Sequence, residues 1–232
     1  MNVLILVLSA RRDPWCYLMD ASRETWDADE YPQTRTIFYC GKGGTSDEKV
    51  FYSPNIGEEL EDVSPRTIEA FEYAVSLPDW DYLARPHSST YVHKANLVKF
   101  LEDKPTENTL WGAMTLGDKP FLWGGCHYIF TRDVIENMVK NKEKWNHWVM
   151  DDQSITQLAE ILEVQILPAH SATINMMNSH YTVDCYGHGD NFAFSDWDDI
   201  NKAADHFFFR CKQDLRRHED VRIFHELKSH LR

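Results

Sequence analysis

The sequence predicts a single α/β domain with a mostly parallel sheet flanked by helices. Three apolar runs have the character of buried strands: Asn2 to Ser9, Thr36 to Cys40 and Asp81 to Ala84. Between them lie two segments with helical spacing of apolar residues, Cys16 to Trp26 and Thr67 to Val75. Alternating strands and helices are typical of a parallel sheet with right-handed crossovers. With 232 residues, 43% of them hydrophobic, the chain is long enough to bury one large core.

Composition limits the partners and the compartment. The formal net charge of −13 opposes binding to a nucleic-acid backbone or an anionic membrane, because both would be repelled over most of the surface. The five cysteines are widely spaced and form no C-x-x-C pair, which indicates neither a zinc site nor a disulfide framework. The apolar run Val3 to Leu8 is too short for a signal peptide or a bilayer span. We therefore expect no nucleic-acid partner, no membrane span and a cytoplasmic location.

The stretch from Asp79 to His93 is the first candidate site. Its strand ends in a polar turn, His87, Ser88 and Ser89, and a helix from Lys94 to Leu101 follows. Ligands bind at the carboxyl ends of strands in open α/β sheets, because the loops there converge on a crevice. A second interpretation stays open, since Ser-Ser-Thr is also ordinary turn chemistry between a strand and a helix.

The remaining segments complete the pattern. The cluster Gly41 to Gly44 lacks the spacing of a phosphate-binding loop and is interpreted as a flexible loop. Gly124 and Gly125 interrupt a strand, which indicates a bulge or a close approach of a ligand or side chain to the backbone. The other expected elements are a strand Val50 to Tyr52, a helix with Ser64 as N-cap and Pro65 in first position, a strand Thr109 to Thr115, a helix Arg132 to Lys140 capped by Thr131, a helix Gln153 to Leu162, an irregular stretch containing His170, His180 and His188, a strand-like segment Phe207 to Lys212 and a final helix Asp214 to Leu231.

Asp151 and Asp152 open one of these helices. Carboxylates at a helix start are commonly caps that interact favourably with the helix dipole. One of the two can cap while the other points into the crevice, where a partly desolvated carboxylate can take a proton from a hydroxyl. Asp152 is the better candidate for such a general base.

Five segments occur in the same order as the motifs of a known enzyme family. They are Arg23-Glu24-Thr25-Trp26, Thr36 to Gly41, the acidic stretch Glu58 to Phe71, Phe121 to Asp133, and Met150-Asp151-Asp152. Over about the first three quarters of its length, the chain resembles the β-1,3-galactosyltransferase and Fringe group of glycosyltransferases. The resemblance implies a Rossmann-like GT-A fold. It also implies an inverting transfer of sugar from a nucleotide-sugar donor, with uracil as the base, to a hydroxyl of a glycan or glycoprotein.

The stretch Arg85 to Val92 departs from this family. Where the family has K-x-D-D-D-x-F-V, a metal-binding carboxylate cluster, this sequence has His87, Ser88 and Ser89. Serine hydroxyls bind Mn²⁺ or Mg²⁺ poorly because they bring no negative charge to the cation. Two arrangements stay open. Either the cations Lys212, Arg216 and Arg217 neutralise the donor diphosphate, or a metal is held by His87 with His170, His180 or His188.

The resemblance also implies the remaining site residues. A nucleotide over the ends of the first and fourth strands would contact Ser9, Ala10, Arg11, Arg85, His87, Ser88, Ser89, Gly124 and Gly125. The acceptor would meet Trp111, Trp123 and Asp151, since aromatic faces pack well against sugar C–H surfaces. One domain, 1–232, would hold a donor half in 1–105, an acceptor and catalytic half in 106–180, and a C-terminal tail and helix in 181–232.

Two other function classes are weighed against a transferase. A glycoside hydrolase needs two carboxylates that flank the bond, and adjacent residues at a helix start point differently. A non-catalytic protein that binds carbohydrate or nucleotide sugar, derived from a transferase, is the stronger rival. Without a membrane anchor, the expected enzyme is a soluble viral or microbial member of the group, which would act in the host cytoplasm if viral.

Overall fold

The structure, a computed structural model, describes most of the chain. The described residues are 1–115, 121–122, 127–169, 171–177, 180–186, 192–194, 199–200, 203, 205–212 and 217–231. The strands are β1 (Val3–Leu8), β2 (Thr34–Cys40), β3 (Val50–Tyr52), β4 (Tyr82–Pro86), β5 (Thr90–Val92), β6 (Thr109–Gly112), β7 (Met114–Thr115), β8 (Phe121–Leu122), β9 (His127–Thr131), β10 (Gln165–Pro168), β11 (Ser171–Met177), β12 (His180–Tyr186), β13 (Phe192–Phe194) and β14 (Phe208–Lys212). The helices are α1 (Trp15–Glu24), α2 (Val63–Val75), α3 (Lys94–Leu101), α4 (Arg132–Lys140), α5 (Asp151–Ile161) and α6 (Arg217–His230).

The central sheet has seven strands in the order β10-β6-β9-β4-β1-β2-β3. Every neighbouring pair is parallel except the two that β9 makes with β4 and β6. The prediction of a mostly parallel α/β sheet flanked by helices is therefore confirmed. Because β1 and β4 are parallel neighbours, their carboxyl ends meet at one edge of the sheet.

Both faces of this sheet are covered. Along β1, Val3, Ile5 and Val7 face a core shared with α1, α3 and α6. The alternate residues Leu4 and Leu6 face a second core, shared with α2, α4 and α5. A strand buried on both faces needs apolar side chains at every position, which explains the uninterrupted run V-L-I-L-V-L.

A second sheet, of order β13-β12-β11-β14-β5, corrects the prediction of an irregular histidine-rich stretch. β11 and β12 pair as an antiparallel hairpin, and β14 joins β11 in parallel and β5 in antiparallel orientation. The pairing partner of β11 is a phenylalanine-rich strand far along the sequence. No local alternation in the 171–186 segment reveals such a partner.

Element boundaries agree closely where local signals act alone. The bounds of α3, α4 and β3 are those predicted. The predicted cap of α2 is wrong, because Asp62 occupies the N-cap and Ser64 lies inside the helix. The Ser64 hydroxyl bonds instead to the Ser154 hydroxyl at 2.8 Å and accepts the Trp145 indole N–H at 3.0 Å.

Thr131 holds the N-cap position of α4 as predicted, but its side chain makes no capping hydrogen bond. It forms hydrogen bonds with the Thr109 backbone instead.

In the described part of the chain, we find no helix with both the length and the apolar composition that a bilayer crossing requires.

Phe71 should be a main contributor to the core between α2 and the sheet. Its buried ring contacts Phe130 and Trp145, with centroids 5.4 and 6.2 Å away. We expect Phe71→Ala to lower the free energy of unfolding by about 3–5 kcal/mol through lost contacts and a cavity. The neighbouring Glu72→Ala, which removes a surface ion pair with Lys142, should cost less than about 1 kcal/mol. Urea unfolding of both variants measures this, and equal losses would contradict the packing described.

Candidate functional site

A cavity of about 400 Å³ lies at the carboxyl ends of β1 and β4. Ser9 and Ala10 follow β1, and His87 and Ser88 follow β4. The remaining wall comes from the start of α1, the loop before α2, α2 itself, the start of α5, β14 and α6. The cavity is lined by Leu8, Ser9, Ala10, Arg12, Trp15, Glu58, Glu59, Leu60, Val63, Arg66, His87, Ser88, Met150, Asp151, Asp152, Arg210 and Arg217. It lies where ligands bind in open α/β sheets.

Backbone hydrogen bonds fix the predicted turn at His87 to Ser89 between the two sheets. The Ser88 N–H donates to the Leu8 carbonyl at 2.8 Å, which ties the turn to β1. The Cys211 N–H donates to the Ser89 carbonyl at 2.8 Å, which ties it to β14. Ser88 lines the cavity, whereas Ser89 is buried in the turn. The turn is thus a rigid part of the cavity wall.

Three arginines from three elements line this cavity, and we call them the arginine cluster. Arg66 comes from α2, Arg210 from β14, and Arg217 is the first residue of α6. Arg217 is held by the Cys211 carbonyl at 3.0 Å and by Asp220 at 3.2 Å, and its guanidinium lies over the Trp15 ring. Arg66 donates to the Gly57 carbonyl at 3.0 Å.

His87 is kept neutral by its surroundings. Burial lowers the pKa of His87 well below its ordinary value of 6.5, and the charges of Arg85, Arg210, Arg217 and Arg66 lower it further. Its Nε2 is buried and has no hydrogen-bond partner among the described residues. Four arginines therefore act on this imidazole and oppose its protonation.

Behind the cavity wall, Arg85 and Asp151 form a buried ion pair. Arg85 is fully buried, and it also donates to the Tyr39 hydroxyl at 2.8 Å and to Thr67 at 3.3 Å. Burial lowers the pKa of Arg85, but Asp151 and Tyr39 raise it more, so it stands above the ordinary value. The pair joins β4 to the first residue of α5.

Asp152, the next residue, lines the cavity and is only partly buried. Its Oδ1 accepts the Gln153 N–H at 2.8 Å. The two adjacent carboxylates thus differ: Asp151 is 2% exposed and bound to Arg85, whereas Asp152 borders the open space. Its role as a general base stays a prediction.

The structure separates the predicted nucleotide contacts into three groups. Ser9, Ala10, His87, Ser88 and Arg217 line the cavity, whereas Arg85 lies behind it. The Arg11 side chain instead bonds to the carbonyls of Gly43 and Lys42, at 2.9 and 2.8 Å. Gly43 has φ +109° and packs against this guanidinium, so the predicted flexible loop is anchored at this point. Trp123, Gly124, Gly125, His170, His188 and Arg216 lie outside the described residues, as do the side chains of His180 and Lys212.

The predicted acceptor contact at Trp111 is corrected. Its indole is buried on β6 between Tyr82 and Phe100, with ring centroids 6.1 and 6.4 Å away, and it belongs to the core. A tryptophan on β6, a strand of the central sheet, faces a packed layer because helices cover both faces of that sheet. Trp148 is not among the site residues predicted from the sequence. It is 94% exposed and lies two residues before the cavity residue Met150.

Sequence reasoning missed Arg12, Arg66 and Arg210. Arg210 carried a usable signal, because it interrupts the run F-F-F-R-C in a strand that is otherwise apolar. A cation in such a strand is rarely buried without a partner or a ligand. Arg66 carried no comparable signal, since an arginine in the first turns of a helix is ordinary.

A divalent metal, which the family resemblance implies, does not fit the residues at the turn. His87 offers a buried nitrogen among four arginines, and Ser88 and Ser89 offer no negative charge. Within the part of the chain that the structure describes, no three His, Cys, Asp or Glu side chains are grouped so as to hold a metal ion.

Comparison with solved structures places this architecture in the GT-A class, the Rossmann-like fold of many glycosyltransferases. The chain is similar to a glycosyltransferase involved in the glycosylation of the major capsid of PBCV-1, with TM-score 0.53 and 13% identity, over 97% of this chain and 100% of that chain. At this identity the similarity shows the fold alone.

Two weaker similarities complete the comparison. The galactosyltransferase LgtC, in complex with donor and acceptor sugar analogs, gives TM-score 0.48 and 10% identity over 73% of this chain and 75% of that chain. A 4-diphosphocytidyl-2C-methyl-D-erythritol synthase from Anaerococcus prevotii gives 0.46 and 12% over 87% and 94%. These scores add nothing to the fold assignment. No protein-family model and no curated protein sequence matches the chain.

The buried ion pair predicts different effects for two adjacent substitutions. Asp151→Asn leaves Arg85 buried without its counter-charge, and we expect a loss of about 3–5 kcal/mol in unfolding free energy. Asp152→Asn changes the same chemical group at a partly exposed position and should cost about 1 kcal/mol or less. Denaturant unfolding with an unchanged slope measures both. Equal costs would show that the pair does not hold the start of α5.

His87 should make the free protein sensitive to acid. Because the pKa of His87 is lowered in the folded state, the unfolded state alone gains a proton as pH falls through about 6.5. The parent should therefore lose stability below that pH by up to about 1.4 kcal/mol per pH unit from this residue. We expect His87→Gln to flatten this part of the urea-unfolding pH profile, whereas His147→Gln, at an exposed histidine, should keep it. Identical profiles for the parent and His87→Gln would refute the assignment.

Proposed function

We propose that this protein is an inverting glycosyltransferase that takes a nucleotide sugar, with uracil as its base, as donor. The observation that carries the proposal is the arginine-lined cavity at the carboxyl ends of β1 and β4, in a fold shared with a known glycosyltransferase. Arg66, Arg210 and Arg217 offer the guanidinium groups that a sugar diphosphate requires. The order of motifs that resembles the β-1,3-galactosyltransferase and Fringe group supports the same reaction and the same donor class.

The proposed reaction is a single displacement. The oxygen of an acceptor hydroxyl forms a bond to the anomeric carbon, and its proton passes to the Asp152 carboxylate. On the opposite face, the bond from the anomeric carbon to the diphosphate oxygen breaks, and its electron pair leaves with the diphosphate. One displacement inverts the configuration. Positive side chains stabilise the charge that develops on the leaving group.

The division of charge in the cavity supports this assignment of roles. Arginines surround His87 at the ends of the strands, whereas Asp152 borders the cavity from the start of α5. Asp151 cannot share the chemistry as a second open carboxylate, because it is buried against Arg85. Glu58 and Glu59 also line the cavity but pair with Arg11 and Arg12. A hydrolase needs two carboxylates that flank the bond, so this arrangement favours a transferase.

The acceptor is proposed to be a carbohydrate that approaches past Trp148. This exposed residue precedes Met150, which lines the cavity, by two positions, and Asp152 follows two residues later. An exposed aromatic face can pack against the C–H surface of a sugar ring. The acceptor would then reach the proposed base from the start of α5.

The experiment combines donor binding with turnover. A thermal-shift panel of nucleotide sugars, with and without Mn²⁺, should identify a donor that raises the melting temperature, because selective binding stabilises the folded form. With that donor and a glycan acceptor, Asp152→Asn should lower transfer about 10²–10⁴-fold while the donor-induced shift persists. Glu160→Gln, an exposed carboxylate on the same helix, is the control and should keep parental turnover.

Two results would contradict the proposal. Normal turnover in Asp152→Asn would show that another residue is the base. Donor binding without release of nucleoside diphosphate, in the presence or absence of any acceptor, would identify a binding protein rather than an enzyme.

A further inference from the structure

We propose that the arginine cluster, Arg66, Arg210 and Arg217, binds the donor diphosphate directly, so that the cavity takes a nucleoside diphosphate without a metal ion. The inference rests on the proposed function and concerns the same cavity. It assigns to fixed guanidinium groups the role that the family resemblance gives to a divalent cation.

The placement of the cluster is the first argument. Its members come from α2, β14 and α6, elements that are distant in sequence, yet all three line one cavity beside His87 and Ser88. Like charges brought together in a partly buried space repel one another, and although Asp220 offsets the charge of Arg217, the repulsion is a cost in the free protein. An anion with several oxygens removes that cost.

Arg66 supplies an independent argument. Its side chain is 2% exposed, and burial lowers its pKa. Its Nη1 donates to the Gly57 carbonyl, but its Nε has no hydrogen-bond acceptor, and no described carboxylate lies within ion-pair distance of the guanidinium. Glu58 acts on Arg66 only from beyond ion-pair distance, and a buried charge with so little compensation is unfavourable. A phosphate oxygen in the cavity would provide both the missing acceptor and the missing charge.

Three of the four carboxylates that line the cavity are engaged by arginines, and the fourth, Asp152, borders the cavity from the start of α5. Glu58 accepts the Arg11 N–H at 3.0 Å, and Glu59 pairs with Arg12 at 2.7 Å. Asp151 is bound to Arg85. A divalent cation at His87 would therefore meet four arginines and no carboxylate from the turn. The donor set fits an anion and does not fit Mn²⁺ or Mg²⁺.

The chemistry suits the departing group. Guanidinium forks bind phosphate oxygens through paired, charge-assisted hydrogen bonds. As the bond to the anomeric carbon breaks, negative charge grows on the diphosphate, and cations held in place by the fold stabilise it without reorganising. Arg217 is already fixed by the Cys211 carbonyl and Asp220, which positions it before a ligand arrives.

Calorimetric titration of the full chain with UDP, CDP, GDP and ADP, in EDTA and in Mn²⁺, tests the inference. We expect one diphosphate to bind in EDTA with a Kd within about threefold of its value in Mn²⁺. Arg66→Met and Arg210→Met should each weaken it about tenfold or more. Arg66→Lys keeps the charge without the fork, should give an intermediate loss, and substitutes for Arg66→Met if that variant does not fold.

The control is Arg222→Met, which removes an exposed arginine from α6 that pairs with Glu219 and Glu226. It should change the affinity by less than about twofold. Binding that appears only with Mn²⁺, or that is unaffected by the Arg66 and Arg210 substitutions, would overturn the inference and leave the proposed transferase intact. Failure of all four diphosphates to bind in either condition would overturn the proposed function itself.

Discussion

The ion pair between Arg85 and Asp151 is the interaction on which the geometry of the site depends. It joins β4 to α5, and through Tyr39 and Thr67 it also engages β2 and α2. His87 follows Arg85 by two residues, and Asp152 directly follows Asp151. A pair of charges buried at this depth permits little displacement, because separating them leaves each without compensation. The distance between the cationic turn and the proposed base is thereby fixed by the core.

Charge in this protein is distributed unevenly. The chain carries a net charge of −13, yet four arginines act on one imidazole in the cavity. If the arginine cluster binds a diphosphate as proposed, the negative surface would repel anions at long range and the arginines would hold at short range those that present several oxygens. Selectivity for a compact polyanion over extended ones such as nucleic acid would follow from this contrast.

Local sequence signals predicted the elements whose ends are determined locally. The bounds of α3 and α4 follow from apolar periodicity and polar starts, and the doubly buried β1 follows from its apolar run. The second sheet escaped prediction because β11 depends on pairing with β14, far away in the sequence. Trp111 shows the limit for the site: composition cannot tell an aromatic residue of the core from one that borders a ligand. The arginine cluster is likewise a product of tertiary contacts, as Arg66 lies on helix α2 and Arg210 lies on β14 of the second sheet.

The cavity draws its walls from opposite ends of the chain. Ser9 and Ala10 follow the first strand, whereas Arg210 and Arg217 lie on the last strand and the last helix, which packs against α1. Contacts between such distant segments form late in folding, because closing a long loop costs entropy before the contacts stabilise the chain. A folding intermediate in which only the central sheet had formed would lack the cavity walls from β14 and α6. A diphosphate bound as proposed would therefore stabilise only the completed fold, and it would favour docking of the final segments.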